Sequence, residues 1–329
     1  MDGIGLALDV RWPIRTLVSA ANAAEQRGFS GAWAVHYFYY RDPFVVLAAV
    51  ASKTSKISLG TAVTNVYERH PLAVAMATAS IHEMSNERMI LGLGVSVPYP
   101  LSTEMGIPYH APQQALKEAV KIIRDYFSGK VVQFEGKHFR IKGAKLGCGP
   151  SVSAIPIYLA AVGPKALALA GEIADGVILN YGTNPAYVSH ALAEIGGHRR
   201  SLAGFDVCSL IWVTPEETAE SLKLAKQTLA DFFATPRFAE NIIPYTHERL
   251  ELLTEVRKFY YPTEGRYDLQ SASELISDKL VKSLIIVGEK GSRARLEEYR
   301  NAGVKHPIIV PLGGEDKLQQ AIEIYAPRS

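Results

Sequence analysis

The sequence predicts an α/β protein, a (β/α)8 TIM barrel, on three observations. Strand-like runs and amphipathic helical stretches alternate eight times along 329 residues. The connections are mostly short and the strands are nearly all apolar, as in a parallel sheet covered on both faces. Eight such units are the number that closes a barrel. An open doubly wound sheet is the alternative, but no G-x-G-x-x-G follows the first strand.

The units run in order. Residues 4–8 are a short apolar run, and Pro13 opens an amphipathic stretch to residue 27 that Gly28 closes. Strand 31–35 precedes helix 43–53, strand 57–63 precedes helix 71–84, and strand 89–93 precedes helix 111–127. Strands 155–160, 177–179, 207–213 and 306–310 precede helices 164–174, 185–199, 216–233 and 316–325. Two insertions interrupt the repeat. Residues 131–141, VVQFEGKHFRI, read as a hairpin turning at Glu135–Gly136–Lys137. Residues 234–282 are partly helical (248–259 and 273–282), and an insertion of that length is expected to be a lid or an oligomer contact. Ser292 is expected to cap helix 293–301, which Gly303 ends. The whole is read as one barrel domain, 1–329.

Composition sets the class. The hydrophobic fraction of 48% and charged fraction of 21% are those of a soluble globular protein. The formal net charge is +2 with acids and bases interleaved, so no nucleic-acid stripe is present. Cys148 and Cys208, far apart, suggest a reducing compartment and no disulfide framework. The first residues carry an acid and no basic region, so no signal peptide is read, and no apolar run approaches the length of a membrane span. A cytoplasmic location is the expectation, and the aromatic, apolar helices suggest a homodimer. The nine histidines show no paired metal spacing, so no metal is expected.

The stretch LGTAVTNVYERHP, residues 59–71, carries the strongest functional signal. A buried strand runs into a loop holding Thr64, Asn65, Tyr67, Glu68, Arg69 and His70, then a proline opens a helix. In a parallel barrel the sites are built at that end of the strands. A solvated, capped loop is the plainer reading of the same residues. Asn65 either presents an amide edge to a ligand or bonds its own turn. His70 either reaches a ligand or caps the helix at Pro71. At residues 162–165, Val162, Gly163, Pro164 and Lys165 bring free N–H groups and a helix dipole together, which favours an anion. An ordinary capped helix is the alternative. His36 and Tyr37 end the second strand, where a histidine can exchange a proton near neutral pH. The aromatic run 37–40 either walls a flat ligand or packs on the insertion. Glu68, Glu172 and Asp175 are read as makers of helix-end and interloop bonds.

The third-strand loop, together with GFSGAW (28–33), HEMSNERMILGLG (82–94) and IPIYLAAVGPKALALAGEIADGVILN (155–180), resembles the luciferase-like superfamily. The resemblance is nearest to its branch using the deazaflavin coenzyme F420, methylenetetrahydromethanopterin reductases above all. It covers most of the chain and is weakest between about residues 232 and 282. It implies hydride transfer between F420 and an organic, pterin-linked one-carbon substrate. FMN is the alternative cofactor, in an oxygen-using monooxygenase, and a flavin-binding protein without turnover is a third possibility. It implies cofactor contacts at Ala62, Val63, Thr64, Asn65, Val162, Gly163, Pro164, Lys165 and Asn180, with a non-proline cis peptide at Ala62–Val63 behind the ring. It also implies that His36, then Tyr37, moves protons, since acids typical of the reductases are replaced at Ala7 and Val97.

Overall fold

The computed structural model describes residues 3–145, 147, 155–234, 238–261 and 266–327. Eight parallel strands form the barrel: β1 (Gly5–Asp9), β2 (Gly31–Val35), β3 (Ser58–Thr61), β4 (Met89–Gly94), β5 (Ile157–Ala161), β6 (Gly176–Leu179), β7 (Asp206–Thr214) and β8 (His306–Pro311). Each pairs with the next, and β8 closes the ring on β1 through Gly5–Ile308 and Leu6–Ile309. The helices that follow them are α1 (Ile14–Gln26), α2 (Pro43–Ala51), α3 (Pro71–Met84), α4 (Pro112–Phe127), α5 (Pro164–Ile173), α6 (Pro185–Gly197), α7 (Ala219–Ala234) and α8 (Glu315–Tyr325). Proline is the first helical residue in five of them, α2 to α6, where its missing N–H costs nothing. No helix among the described residues is long and apolar enough to cross a membrane.

The period of two along each strand divides the apolar side chains into two layers. The outward set packs on the helices, and the inward set fills the barrel: Ala7, Trp33, Val35, Ala62, Ile90, Tyr158, Ile178, Cys208, Leu210 and Ile308. Trp33 plugs the lower half, stacked on Tyr158 with ring centres 6.2 Å apart. Three neighbouring strands make room for it with glycine. A Cβ on Gly5, Gly31 or Gly60 would stand 2.7, 2.6 or 2.2 Å from the indole. Below it Asp206 accepts a hydrogen bond from the Tyr158 hydroxyl and lies 3.5 Å from His306 Nε2. The floor is therefore solid, and only the carboxyl ends of the strands are open. Cys208 is a free, buried thiol inside the barrel, and Cys148 lies outside the described residues.

Both insertions are tied down. The expected hairpin forms from Val132–Glu135 and Arg140–Ala144. Its turn hangs on Glu118 of α4, a 4%-exposed carboxylate that accepts the N–H groups of Lys137, His138 and Phe139 at 2.9, 2.9 and 3.3 Å. The longer insertion docks on α7. Tyr267 donates to the Ala230 carbonyl at 2.7 Å, and Lys226 pairs with Asp278 at 2.6 Å.

Several expected boundaries shift. The helix expected at 248–259 is Glu251–Arg257. The one expected at 273–282 is two, Leu269–Glu274 and Asp278–Leu284, because Ser277 accepts the Leu280 N–H at 3.1 Å and starts a new helix. Ile286–Val287 adds a short strand alongside Val213–Thr214. Ser292 is not the cap of the following helix. It is the first helical residue, and Gly291 in the left-handed region precedes it.

Candidate active site

At the end of β3 the backbone leaves the ladder and returns. Leu59 and Gly60 pair with Met89 and Ile90, then Thr64 and Asn65 pair with Leu93 and Gly94. Between them the Ala62–Val63 peptide is cis, as the resemblance implies. The Thr61 hydroxyl bridges the gap in the ladder, donating to the Gly92 carbonyl at 2.7 Å and accepting its N–H at 2.9 Å. Gly92 is required here, since a Cβ would lie 2.0 Å from the Thr61 carbonyl oxygen. Ala62 and Val63 both belong to the inner layer, so the bulge enters the barrel mouth.

In the loop beyond the bulge, two residues make the local bonds of their plainer readings. Asn65 is 3% exposed and its amide is already engaged: Oδ1 accepts the Tyr67 and Glu68 N–H groups, both at 3.0 Å, and Nδ2 donates to Glu68. It is the turn residue of the plainer reading, and Thr64 beside it is equally buried. His70 is a helix cap, its Nδ1 accepting the Leu72 N–H at 3.3 Å. Glu68, expected to make only structural bonds, instead lies 3.3 Å from His36 Nε2. Both side chains remain solvent-reachable at 19% and 15% exposure. Burial lowers the His36 pKa below its ordinary 6.5, and Glu68 only partly offsets this, so the ring is neutral at neutral pH. Arg69 is held by Asp42 at 2.7 Å, which also caps α2. Asp175 and Glu172 do make structural pairs, with Arg124 at 2.9 Å and Lys117 at 3.5 Å.

The amino end of α5 opens on the same face. Gly163 is the cap residue in extended conformation, and its carbonyl accepts from Ala166 and Leu167. No bond to the Gly163 or Lys165 N–H is formed by the described residues. Pro164 and Lys165 are exposed. Val162 is buried, and its carbonyl accepts the hydroxyl of the fully buried Tyr187, which fixes the loop. Asn180, at the end of β6, is half-buried. A Cβ on Gly163 would meet only Asn241, at 3.6 Å. Two free donors, a helix dipole and an exposed lysine fit an anionic group.

A third group went unread in the sequence. Ala7 points into the barrel, and the period of two sends Asp9 the same way, one layer higher. Asp9 therefore supplies an acid on the first strand two residues beyond the expected place. It lines a cleft with Ala7, Trp12, Val35, Tyr37, Tyr181 and Val310. Arg11 clasps it: Nε donates to both carboxylate oxygens at 3.0 Å and Nη2 donates at 2.6 Å. The guanidinium carbon stands 4.3 Å from the centre of the Tyr37 ring. Tyr181 lies beside Tyr37 and stacks on Trp212, with ring centres 4.9 Å apart and planes 4° from parallel. Burial raises the pKa of both tyrosines, so they stay protonated. Asp231 of α7 is exposed.

Val97 precedes a short helical turn, Pro98–Leu101, with a cis Tyr99–Pro100 bond. An acid does stand nearby: Glu104 accepts hydrogen bonds from the Tyr39 and Tyr99 hydroxyls, tying the β2 and β4 loops together. Tyr39 and Tyr40 are exposed at the rim.

Comparison with known proteins gives the chain's relatives. The family described as luciferase-like monooxygenase matches residues 4–306. The chain is 40% identical over 305 residues to the 5,10-methylenetetrahydromethanopterin reductase of Archaeoglobus fulgidus, covering 89% of each chain. It is 30% identical to a putative coenzyme F420-dependent oxidoreductase of Mycobacterium tuberculosis, over 87% of this chain and 88% of that one. Among solved structures, the coenzyme F420-dependent tetrahydromethanopterin reductase of Methanopyrus kandleri superposes with a TM-score of 0.83 at 25% identity, covering 98% of this chain and 97% of that one.

Proposed function

This chain belongs to the luciferase-like monooxygenase family, and we propose that it is a coenzyme F420-dependent oxidoreductase acting on a pterin-linked one-carbon substrate. The observation that carries the reading is the 40% identity to a 5,10-methylenetetrahydromethanopterin reductase along 89% of both chains. The residues present fit the cofactor. Ala62 and Val63 enter the mouth with little side-chain bulk, and the Gly163 and Lys165 N–H groups with the Lys165 ammonium offer an anion site. The bound deazaflavin would supply hydride transfer without oxygen chemistry.

The chain's own residues supply the rest. Ala62, Val63, Thr64 and Asn65 shape the wall behind the ring, the last two through the backbone they order. Val162, Gly163, Pro164, Lys165 and Asn180 hold the anionic part. His36 holds or moves a proton at Nε2, steadied by Glu68 at 3.3 Å, and Asn65 in turn orients Glu68. Tyr37 is the second proton donor, since burial raises its pKa and keeps a proton on the hydroxyl. The protein works as a homodimer in the cytoplasm.

The test is oxidation of reduced F420 by 5,10-methylenetetrahydromethanopterin without oxygen, followed by the deazaflavin absorbance. Multiple turnovers support the reading. FMN binding with oxygen-dependent turnover, or F420 binding without turnover, would replace it.

A further inference from the structure

Arg11 is held more firmly than a half-exposed arginine ordinarily is. Asp9 accepts its backbone N–H at 2.9 Å as well as the Nε and Nη2 donors, and Tyr37 supports the guanidinium face. This fork uses one edge of the guanidinium. Nη1, on the other edge, has no acceptor among the described residues, and the half-exposed side chain stands against Asp9 and Tyr37, two residues that line the cleft. The surrounding wall is aromatic, made of Trp12, Tyr37 and Tyr181 backed by Trp212. The cluster draws on β1, β2 and β6 to β8. The β3 bulge and the α5 end belong to the remaining arc of the ring, so a cofactor held there leaves this side to the second ligand.

Charge narrows what that ligand presents. Asp9 neutralises the guanidinium. A carboxylate or phosphate would find no net positive charge at this pair, whereas a neutral carbonyl oxygen accepts from Nη1 without needing one. We propose that Arg11 is the specificity-determining residue for the organic substrate, donating from Nη1 to a neutral carbonyl-type oxygen on a flat ring. This deepens the F420 reading by naming what selects the substrate, and Asp9 is the positioning residue that locks Arg11 in place.

Calorimetric titration with two flat probes tests it: lumazine, a heterocycle with neutral ring carbonyls, and benzoate, a carboxylate. Each is titrated into the protein with and without F420. Lumazine should bind the wild type at least ten times more tightly than benzoate. R11M should weaken lumazine by about 10- to 100-fold, the worth of one hydrogen bond to a charged group, and leave F420 affinity within about twofold. R11K, which keeps charge but not the fork, should lose most of the lumazine affinity. D9N should lose several-fold in lumazine affinity through the freed guanidinium and bind benzoate more tightly, since the neutralising carboxylate is gone. Equal lumazine affinity in folded wild type, R11M and R11K, no lumazine binding by the wild type, or tighter binding of benzoate than of lumazine by the wild type would overturn the proposal. Loss of F420 affinity in R11M would also overturn it, by assigning Arg11 to the cofactor. Failure of wild type to bind F420 sinks the cofactor reading instead, and the cofactor-free titration still decides Arg11.

Discussion

Gly163→Asp separates fold from function because the two should move in opposite directions. Gly163 has φ −87° and ψ 162°, ordinary extended geometry that any residue adopts, and caps α5 with no side-chain bond. The new Cβ would find only Asn241 at 3.6 Å, so nothing must shift. Aspartate is a favoured cap, and replacing glycine there should add a few tenths of a kcal/mol to the helix. The same carboxylate would claim the free N–H groups and repel an anionic cofactor group. Two unit charges about 5 Å apart at a partly exposed site interact by about 3 kcal/mol at an effective dielectric near 20, and by about 0.8 kcal/mol in bulk water. F420 affinity should therefore fall by about 4- to 150-fold, with a loss of roughly tenfold or more expected. Calorimetric titration gives the dissociation constant and thermal denaturation gives Tm. Gly163→Asn is the control, a neutral cap that should keep most of the affinity. An unchanged dissociation constant in a variant with wild-type Tm would refute the anion site. Equal losses in both variants would place the effect in shape, not charge.

The remaining expectations concern chemistry, acid stability and assembly. His36→Ala should lower single-turnover hydride transfer by about 100- to 10,000-fold with F420 saturating, the usual range for an acid–base group, and leave F420 affinity within a few-fold. Equal rates would make His36 a packing residue, and a collapse of cofactor affinity would make it a binding one. The wild-type rate should carry an acid limb with a midpoint below 6.5, since burial lowers the His36 pKa, and His36→Gln should remove that limb. At the barrel floor, burial works against Asp206 ionising, but His306, with Nε2 3.5 Å away, and the hydrogen bond from the Tyr158 hydroxyl win and bring its pKa to about 2 from 3.8. That stabilisation, on the order of 1–2 kcal/mol, is present above pH 3.8 and is lost as pH falls toward 2. Asp206→Asn should lower Tm at pH 7 and flatten its dependence on acid, and an unchanged acid transition would count against the assignment. Light scattering at micromolar concentration should give the mass of two chains, and a monomer mass would reject the dimer.

The sequence by itself determined the barrel. Eight apolar runs, prolines at helix starts and the absence of a dinucleotide glycine motif are local or periodic signals, and every barrel strand lies where those signals put it. The α5 opening at Gly163 was also legible, because it is written in consecutive residues, whereas the bulge at Ala62–Val63 was expected only through the family resemblance. What tertiary structure alone decided was which polar groups face one another. Glu68 meets His36 from a different strand, 32 positions away along the chain, so no local pattern pairs them. Asn65 carried equal promise as a ligand contact and as a turn, and only the fold shows its amide oxygen bonded to its own loop at 3.0 Å. Asp9 was half legible: if Ala7 points inward, so does the residue two further on. The strand's apolar run ends at Leu8, so nothing local marked Asp9 as part of the wall. Arg11 shows the limit most plainly. Its partner is two residues away, but whether its free edge faces water or a cleft depends on Tyr37 and Tyr181, which only barrel closure brings to its side. Periodicity fixes which face a side chain occupies, and closure of the sheet fixes what stands opposite that face.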